Sequence, residues 1–424
     1  MNDVTDASPA ALAERLARAA KAASRKLAVA STGQKNQALA RLAELLLAEA
    51  PRLLEANAKD VAAAAEAGVT GAFLDRLRLD DKRVAGMVEG LRQVIALPDP
   101  VGAMEDARRR PNGLLVGRMR IPLGVICIVY ESRPNVTVDA GALCLKSGNA
   151  PLLKGGKEAF HSNGVLVELM RQALADVGLP ADAVQAVATS DRDVMTALIR
   201  QQGLVDLVIP RGGERLIRFV TETATVPVIQ HFKGVCHVYV DRAADLEMAA
   251  EIAFNAKVQR PGVCNAMETL ILHRDVAPDL IPRLFPRYVA AGVELRCDAR
   301  TRALWPQGLA ATEEDWATEY EDLILSVRLV DDLEAAVEHI QAYGSGHTDA
   351  IVTNDYAASQ RFVAEVDSSC VVVNASTRFN DGFELGLGAE IGISTSRLHA
   401  FGPMGLEELT ARKFVVFGSG QVRS

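Results

Sequence analysis

A basic stripe, a paired-cysteine motif and a long apolar run are all missing from this chain, and each absence removes a class of function. Duplex binding needs clustered Lys and Arg to neutralise phosphates. Here 46 basic residues are set against 54 acidic ones, for a net charge of −8, so no nucleic-acid partner is expected. The one basic run, Arg108-Arg109-Arg110, leads into Pro111-Asn112-Gly113 and reads as a solvated hairpin tip. The 6 cysteines are scattered singly without C-x-x-C. That excludes a disulfide framework and zinc spacing, and a reducing, cytoplasmic setting is expected. Cys127, Cys236 and Cys370 lie in apolar strand-like runs and read as small buried hydrophobes. No apolar stretch is long enough to span a bilayer, and Met1-Asn2-Asp3-Val4 opens no basic-then-apolar leader. Neither a membrane span nor a secretion signal is expected.

Familiar ligand motifs are missing too. No G-x-G-x-x-G follows a strand, and there is no Walker A loop and no H-E-x-x-H. Gly386-Leu387-Gly388-Ala389-Glu390-Ile391-Gly392 has the wrong spacing and no long helix after it. His231, Cys236 and His237 lie close in sequence but lack a fourth ligand, so no metal site is expected.

What is present is an alternating pattern. With 424 residues, 49% hydrophobic and 24% charged, the chain supports two or three domains with sizeable cores. The first hundred residues read as helices: from Ser8-Pro9 to about 28, then 34–49, then from Pro51 to about 68, then 72–97 with a break at Asp80-Asp81. Strand character begins at 114–121. Strand and helix then alternate through strands at 125–130, 151–154, 184–187, 205–209 and 226–230. A second alternating set has strands at 235–240, 268–273, 293–296, 324–330, 349–353 and 370–374, with helices between them. This is α/β: two Rossmann-like parallel units covered on both faces and joined near 230–236. The 108–121 hairpin and a final strand at 409–417 are expected to pair outside the two sheets.

Three loops follow strands in the first unit, where ligands bind in open α/β sheets. After 125–130 comes Glu131-Ser132-Arg133-Pro134-Asn135, in which Asn135 is either a helix N-cap or a donor to an oxyanion. Lys154-Gly155-Gly156-Lys157 offers a lysine and backbone N–H groups, and Arg211-Gly212-Gly213 opens a helix as an anion site. Together they point to a nucleotide. Cys264, in Arg260-Pro261-Gly262-Val263-Cys264-Asn265, sits on a turn between a helix and a strand. Such a turn presents a thiol as a nucleophile, although a lone cysteine is also commonly just buried.

Arg133-Pro134-Asn135, then Gly148-Asn149-Ala150-Pro151-Leu152-Leu153-Lys154, then Arg260 to Cys264, resemble the aldehyde dehydrogenase superfamily in that order. Tyr343-Gly344-Ser345-Gly346-His347-Thr348-Asp349, Val373-Asn374-Ala375-Ser376-Thr377-Arg378-Phe379 and Leu398-His399-Ala400 narrow this to its gamma-glutamyl phosphate reductases (glutamate-5-semialdehyde dehydrogenases). The resemblance covers nearly the whole chain. It implies NADPH-dependent reduction of L-glutamyl 5-phosphate to the 5-semialdehyde, with Cys264 as nucleophile and Asn135 as oxyanion donor. It implies that Lys154, Arg211, Gly212, Gly213 and Glu319 hold NADP, and that Arg133, Arg260 and Arg378 meet the substrate anions. Residues 1–107 and 122–232 become the dinucleotide domain and 233–400 the catalytic domain. Residues 108–121 and 401–424 become the oligomerisation hairpin and tail of a homodimer or homotetramer, with a glutamate 5-kinase as a further partner. The superfamily's deacylating glutamate falls at Gln230-His231, where no carboxylate stands, and Phe401 stands where a basic residue is expected. The rivals are a CoA-acylating aldehyde dehydrogenase and a non-catalytic scaffold of the same fold.

Overall fold

The computed structural model describes residues 8–131, 133–189 and 191–423. The opening residues read for a leader, and Ser132 of the Asn135 motif, lie outside them. The chain forms two compact units. The first comprises 1–230, 387–392 and 404–424; the second comprises 231–386 and 393–403.

The N-terminal helices of the first unit start where their caps dictate. Ser8 accepts from the Ala11 N–H ahead of Pro9–Leu27, and Ser31 forms a reciprocal box with Gln34 that begins Thr32–Ala48. Asp80 accepts from Arg83 at 2.7 Å. That cap divides the expected 72–97 segment into Gly71–Leu77 and Asp81–Ala96. These helices accompany a four-stranded parallel sheet in the order Gln185–Ala186, Ala150–Lys154, Val125–Tyr130, Leu207–Arg211. All of Val125–Tyr130 is buried, as a strand covered on both faces must be. The strand expected at 226–230 is only a single bridge, Val228 to Val208.

The same unit carries a three-stranded antiparallel sheet. Met104–Arg109 and Thr410–Phe417 flank Leu115–Pro122, so the hairpin and the final strand pair with each other. Met104–Arg109 was invisible to pattern reading because its residues are nearly all exposed and only Met104 and Ala107 are apolar, three apart, which leaves no alternation. The basic run is mostly strand, and the turn follows it.

The second unit is built on a seven-stranded sheet. Its order is Leu309–Ala310, Glu294–Cys297, Ile324–Val330, Met267–His273, Cys236–Val240, Thr348–Val352, Cys370–Val373, and every pairing is parallel. Alternate residues divide between two cores. Val238, Leu270, Leu272 and Ala350 pack with Leu280 and Phe285 of Ala277–Ala290, while Tyr239, Ile271 and Ile351 pack with Ile340 and Phe362. Cys127 and Cys236 are fully buried, as their strand runs indicate. Cys370 is only half-buried, a correction that follows from its place at the start of an edge strand. Among the described residues no helix is long and apolar enough to cross a membrane.

Candidate active site

Cys264 lies in the turn between the helix Leu246–Val258 and the strand Met267–His273, half-buried. The ends of that connection are fixed. Lys257 at the helix end and Glu268 on the strand form a buried ion pair at 2.6 Å. Burial pushes the Glu268 carboxyl up to about 7 against the pull of Lys257. Asn265 donates to the carbonyl of Asn380 at 2.9 Å, tying the turn to the 374–380 segment. Asn374, with φ 55°, marks the left-handed bend that opens this segment.

Because the sheet is parallel, the chain preceding three adjacent strands meets at one edge. Residues 231–235 precede Cys236–Val240, the Cys264 turn precedes Met267–His273, and His347 precedes Thr348–Val352. Gly234 passes so close that a Cβ there would stand 2.6 Å from Cys264 Cα, besides meeting its carbonyl oxygen. The Cys236 thiol donates to that same carbonyl at 3.1 Å.

Two histidines flank Cys264. Sγ of Cys264 and one ring nitrogen each of His231 and His347 lie within 4.8 Å of one another. The rings of His231 and His347 meet edge-on, with centroids 5.4 Å apart. Burial, then the neighbouring His231, pulls His347 down to about 3, so it is neutral near pH 7. His237, grouped with His231 by sequence proximity, instead points to Asp349 at 2.7 Å, both fully buried.

Arg260 and Arg378 come to the same place. The Arg378 guanidinium donates to Gln259 at 2.9 Å. Its pKa is lowered by burial and then by Arg260, while Asp381 and Cys264 act in the opposite sense. Two cations held together beside a thiol make a position suited to an anion. Glu319 is half-buried beside the Lys257–Glu268 pair and raises Glu268. Phe401 carries the Arg397 guanidinium over its ring at 5.2 Å, so a cation is retained beside that position.

In the first unit Asn135 is exposed in the opening turn of Pro134–Lys146, whose N-cap residue is Arg133. Asn135 is therefore not the cap. Its amide donates to Asp139 at 3.0 Å. Asp139 is raised to about 6 by burial, against the pull of that hydrogen bond and of Arg211. Lys154 ends its strand buried, with Nζ donating to the Gly155 carbonyl at 2.9 Å. Gly213 caps Glu214–Thr223, and its N–H donates to the Glu131 carboxylate at 2.9 Å. A Cβ on Gly212 would stand 2.5 Å from Glu131 Oε2, so a side chain there would push that carboxylate aside. The loop thus holds an oxyanion, supplied by the chain itself.

Sequence reading missed His347, Asp139 and Gly234 as parts of these arrangements. His347 did stand in a quoted motif, but only strand order shows that it faces Cys264.

A sequence model of the aldehyde dehydrogenase family matches residues 2–302. A gamma-glutamyl phosphate reductase of Desulforapulum autotrophicum is 56% identical over 98% of this chain and 99% of its own length. The crystal structure of the Thermotoga maritima gamma-glutamyl phosphate reductase is 45% identical, covering 97% of this chain and 100% of that one, with TM-score 0.96. That of the Saccharomyces cerevisiae protein is 31% identical over 97% and 98%, with TM-score 0.54. Identity at this level along nearly the whole length places the chain in the aldehyde dehydrogenase family, among its gamma-glutamyl phosphate reductases.

Proposed function

We propose that the chain reduces L-glutamyl 5-phosphate to L-glutamate 5-semialdehyde with NADPH, releasing phosphate, as the second step from glutamate toward proline. The Cys264 thiolate attacks the acyl carbon, and the carbon–oxygen bond to phosphate breaks, leaving a thioester. The resemblance assigns the developing oxyanion to Asn135. Arg260 and Arg378 receive the departing phosphate or the substrate carboxylate, and Arg133 is the third cation assigned to the substrate. When bound, the nicotinamide supplies the hydride that reduces the thioester carbon. The carbon–sulfur bond then breaks, freeing the aldehyde and the thiol.

The cofactor assignment rests on Lys154 and the Arg211-Gly212-Gly213 loop, with Glu319 at the nicotinamide ribose by resemblance. The Glu131 carboxylate on the Gly213 N–H is a stand-in for pyrophosphate, and a helix N-terminus favours either anion. Residues 1–107 and 122–232 serve as the dinucleotide domain, 233–400 as the catalytic domain, and 108–121 with 401–424 as the oligomerisation element. Phe414 and Phe417 are exposed on the edge strand Thr410–Phe417, which supports a homodimer or homotetramer. A cytoplasmic setting and an acyl phosphate delivered by a glutamate 5-kinase complete the reading.

One observation carries the proposal: Cys264 is flanked by His231 and His347, and Gln230-His231, where the superfamily resemblance implies a deacylating glutamate, holds no carboxylate. No carboxylate at 230–231 activates water, so phosphate is the partner for acyl exchange. The test is the reverse reaction with semialdehyde, phosphate and NADP, run beside Cys264→Ala. Phosphate-dependent turnover lost in the variant supports the reading. Turnover that ignores phosphate, or that needs CoA, or full activity in the variant, refutes it.

A further inference from the structure

An asparagine amide is a donor at one end and an acceptor at the other, so it serves an oxyanion only when turned the right way. The Asn135 side chain is exposed, and packing does not choose between its two ends. Asp139 stands one turn further along Pro134–Lys146, where residues four apart share a helix face. Asn135 Nδ2 lies 3.0 Å from Asp139 Oδ2. A carboxylate only accepts, so it selects the nitrogen end, and Nδ2 keeps a second N–H for another oxygen. The opposite side of this turn is held by Thr137, whose Oγ1 donates to Asn163 at 2.8 Å and meets the Tyr130 hydroxyl at 2.7 Å. From the helix Asp81–Ala96 the carboxylate is faced by Gly90, where a Cβ would stand 3.8 Å from Oδ1. Among the described residues the charge that acts on Asp139 is Arg211. That cation offsets a carboxylate which alone would repel an oxyanion.

We propose that Asp139 is a positioning residue, which holds the Asn135 amide with its nitrogen presented so that the free N–H meets the oxyanion formed on the substrate acyl carbon. Its role rests on the proposed reaction, in which Asn135 is the oxyanion donor. Asp139 touches no reacting atom, and it acts only while ionised. A protonated carboxyl can donate to the amide oxygen and hold the amide reversed. Burial raises Asp139 to about 6, against the pull of Asn135 and Arg211, so the ionised form prevails near pH 7. The helix supplies the remaining rigidity, since a group carried on a regular element is aimed more closely than one on a loop.

The test is a double-mutant cycle on the full chain, with kcat and the KM for NADP measured in the reverse reaction and melting temperatures taken on the same preparations. Asp139→Ala should lower kcat about 10–100-fold, the scale on which partners that orient metal-bound histidines act. The KM for NADP should stay at its wild-type value. In an Asn135→Ala background the same substitution should leave kcat unchanged, because no amide remains to orient. Asp139→Asn keeps the shape and one acceptor, so it serves even if the alanine variant does not fold, and its kcat should fall between that variant and wild type. An equal loss in both backgrounds is a structural role and overturns the proposal. So does a raised KM for NADP with kcat unchanged, which places Asp139 behind Arg211 instead. A kcat above wild type in Asp139→Asn overturns it too, since the carboxylate would then oppose the oxyanion. Phosphate-independent turnover with the coupling intact refutes the acyl-phosphate reaction and leaves the positioning role standing. Phosphate-dependent turnover without the coupling does the reverse.

Discussion

Gly234→Ala tests whether backbone contact aims the Cys264 thiol for the proposed reaction. An added Cβ meets the Cys264 carbonyl and stands 2.6 Å from its Cα, and neither atom belongs to a flexible side chain. The two segments must part to restore ordinary contact, and the Cys236-to-Cys264 hydrogen bond at 3.1 Å is strained in the same movement. Overpacking of this kind costs about 1–3 kcal/mol of stability. Displacing a reacting atom by about an ångström lowers rate about 100-fold, equivalent to about 2.7 kcal/mol of barrier. The assay is kcat/KM for the reverse reaction, with the alkylation rate of Cys264 and the melting temperature measured on the same preparations. Gly262→Ala is the control, because a Cβ there meets only the Glu321 carbonyl at 3.5 Å, an ordinary contact, and it should stay within a few-fold of wild type. If Gly234→Ala keeps wild-type kcat/KM, alkylation rate and melting temperature, the close approach does not position Cys264.

Asn135→Ala should lower kcat about 100–1,000-fold, yet leave stability within about 0.5 kcal/mol because the side chain is exposed. Denaturant unfolding beside steady-state kinetics separates the two. Asp139, raised to about 6, takes a proton below that pH and loosens its hold on Asn135, so Asp139→Asn should remove an acid limb near 6 from the kcat profile. Glu268 is raised from 4.5 to about 7, so the folded state binds the extra proton and its contribution is lost as pH rises through about 7. Thermal unfolding across this range should show the wild type losing stability relative to Glu268→Gln, the reverse of an ordinary ion-paired carboxylate. Lys257→Met leaves Glu268 buried without its partner at 2.6 Å. That substitution should cost about 3–5 kcal/mol by urea unfolding above that pH.

Much of the architecture was legible because it rests on local signals. The strands of the second unit are short apolar runs bounded by turn residues, and 324–330 is observed as Ile324–Val330 and 268–273 as Met267–His273. Helix starts were legible where a cap residue and its donor are neighbours, as at Ser8 and Asp80. Met104–Arg109 was not, since an exposed strand whose two apolar residues stand three apart has no period of two to detect. Nor was the half-exposure of Cys370, because an apolar run looks the same in a central strand and in an edge strand.

By itself, then, the sequence determined two parallel α/β units, a thiol on a turn between helix and strand, and the lack of a carboxylate at 230–231. Those properties depend on residues near one another in the chain. The tertiary structure alone decided what surrounds the thiol. His347 comes to Cys264 across 83 positions because Thr348–Val352 and Met267–His273 lie on either side of Cys236–Val240 in a parallel sheet, which brings the residues before all three strands to one edge. Strand order is a property of the folded sheet, and no local pattern encodes it.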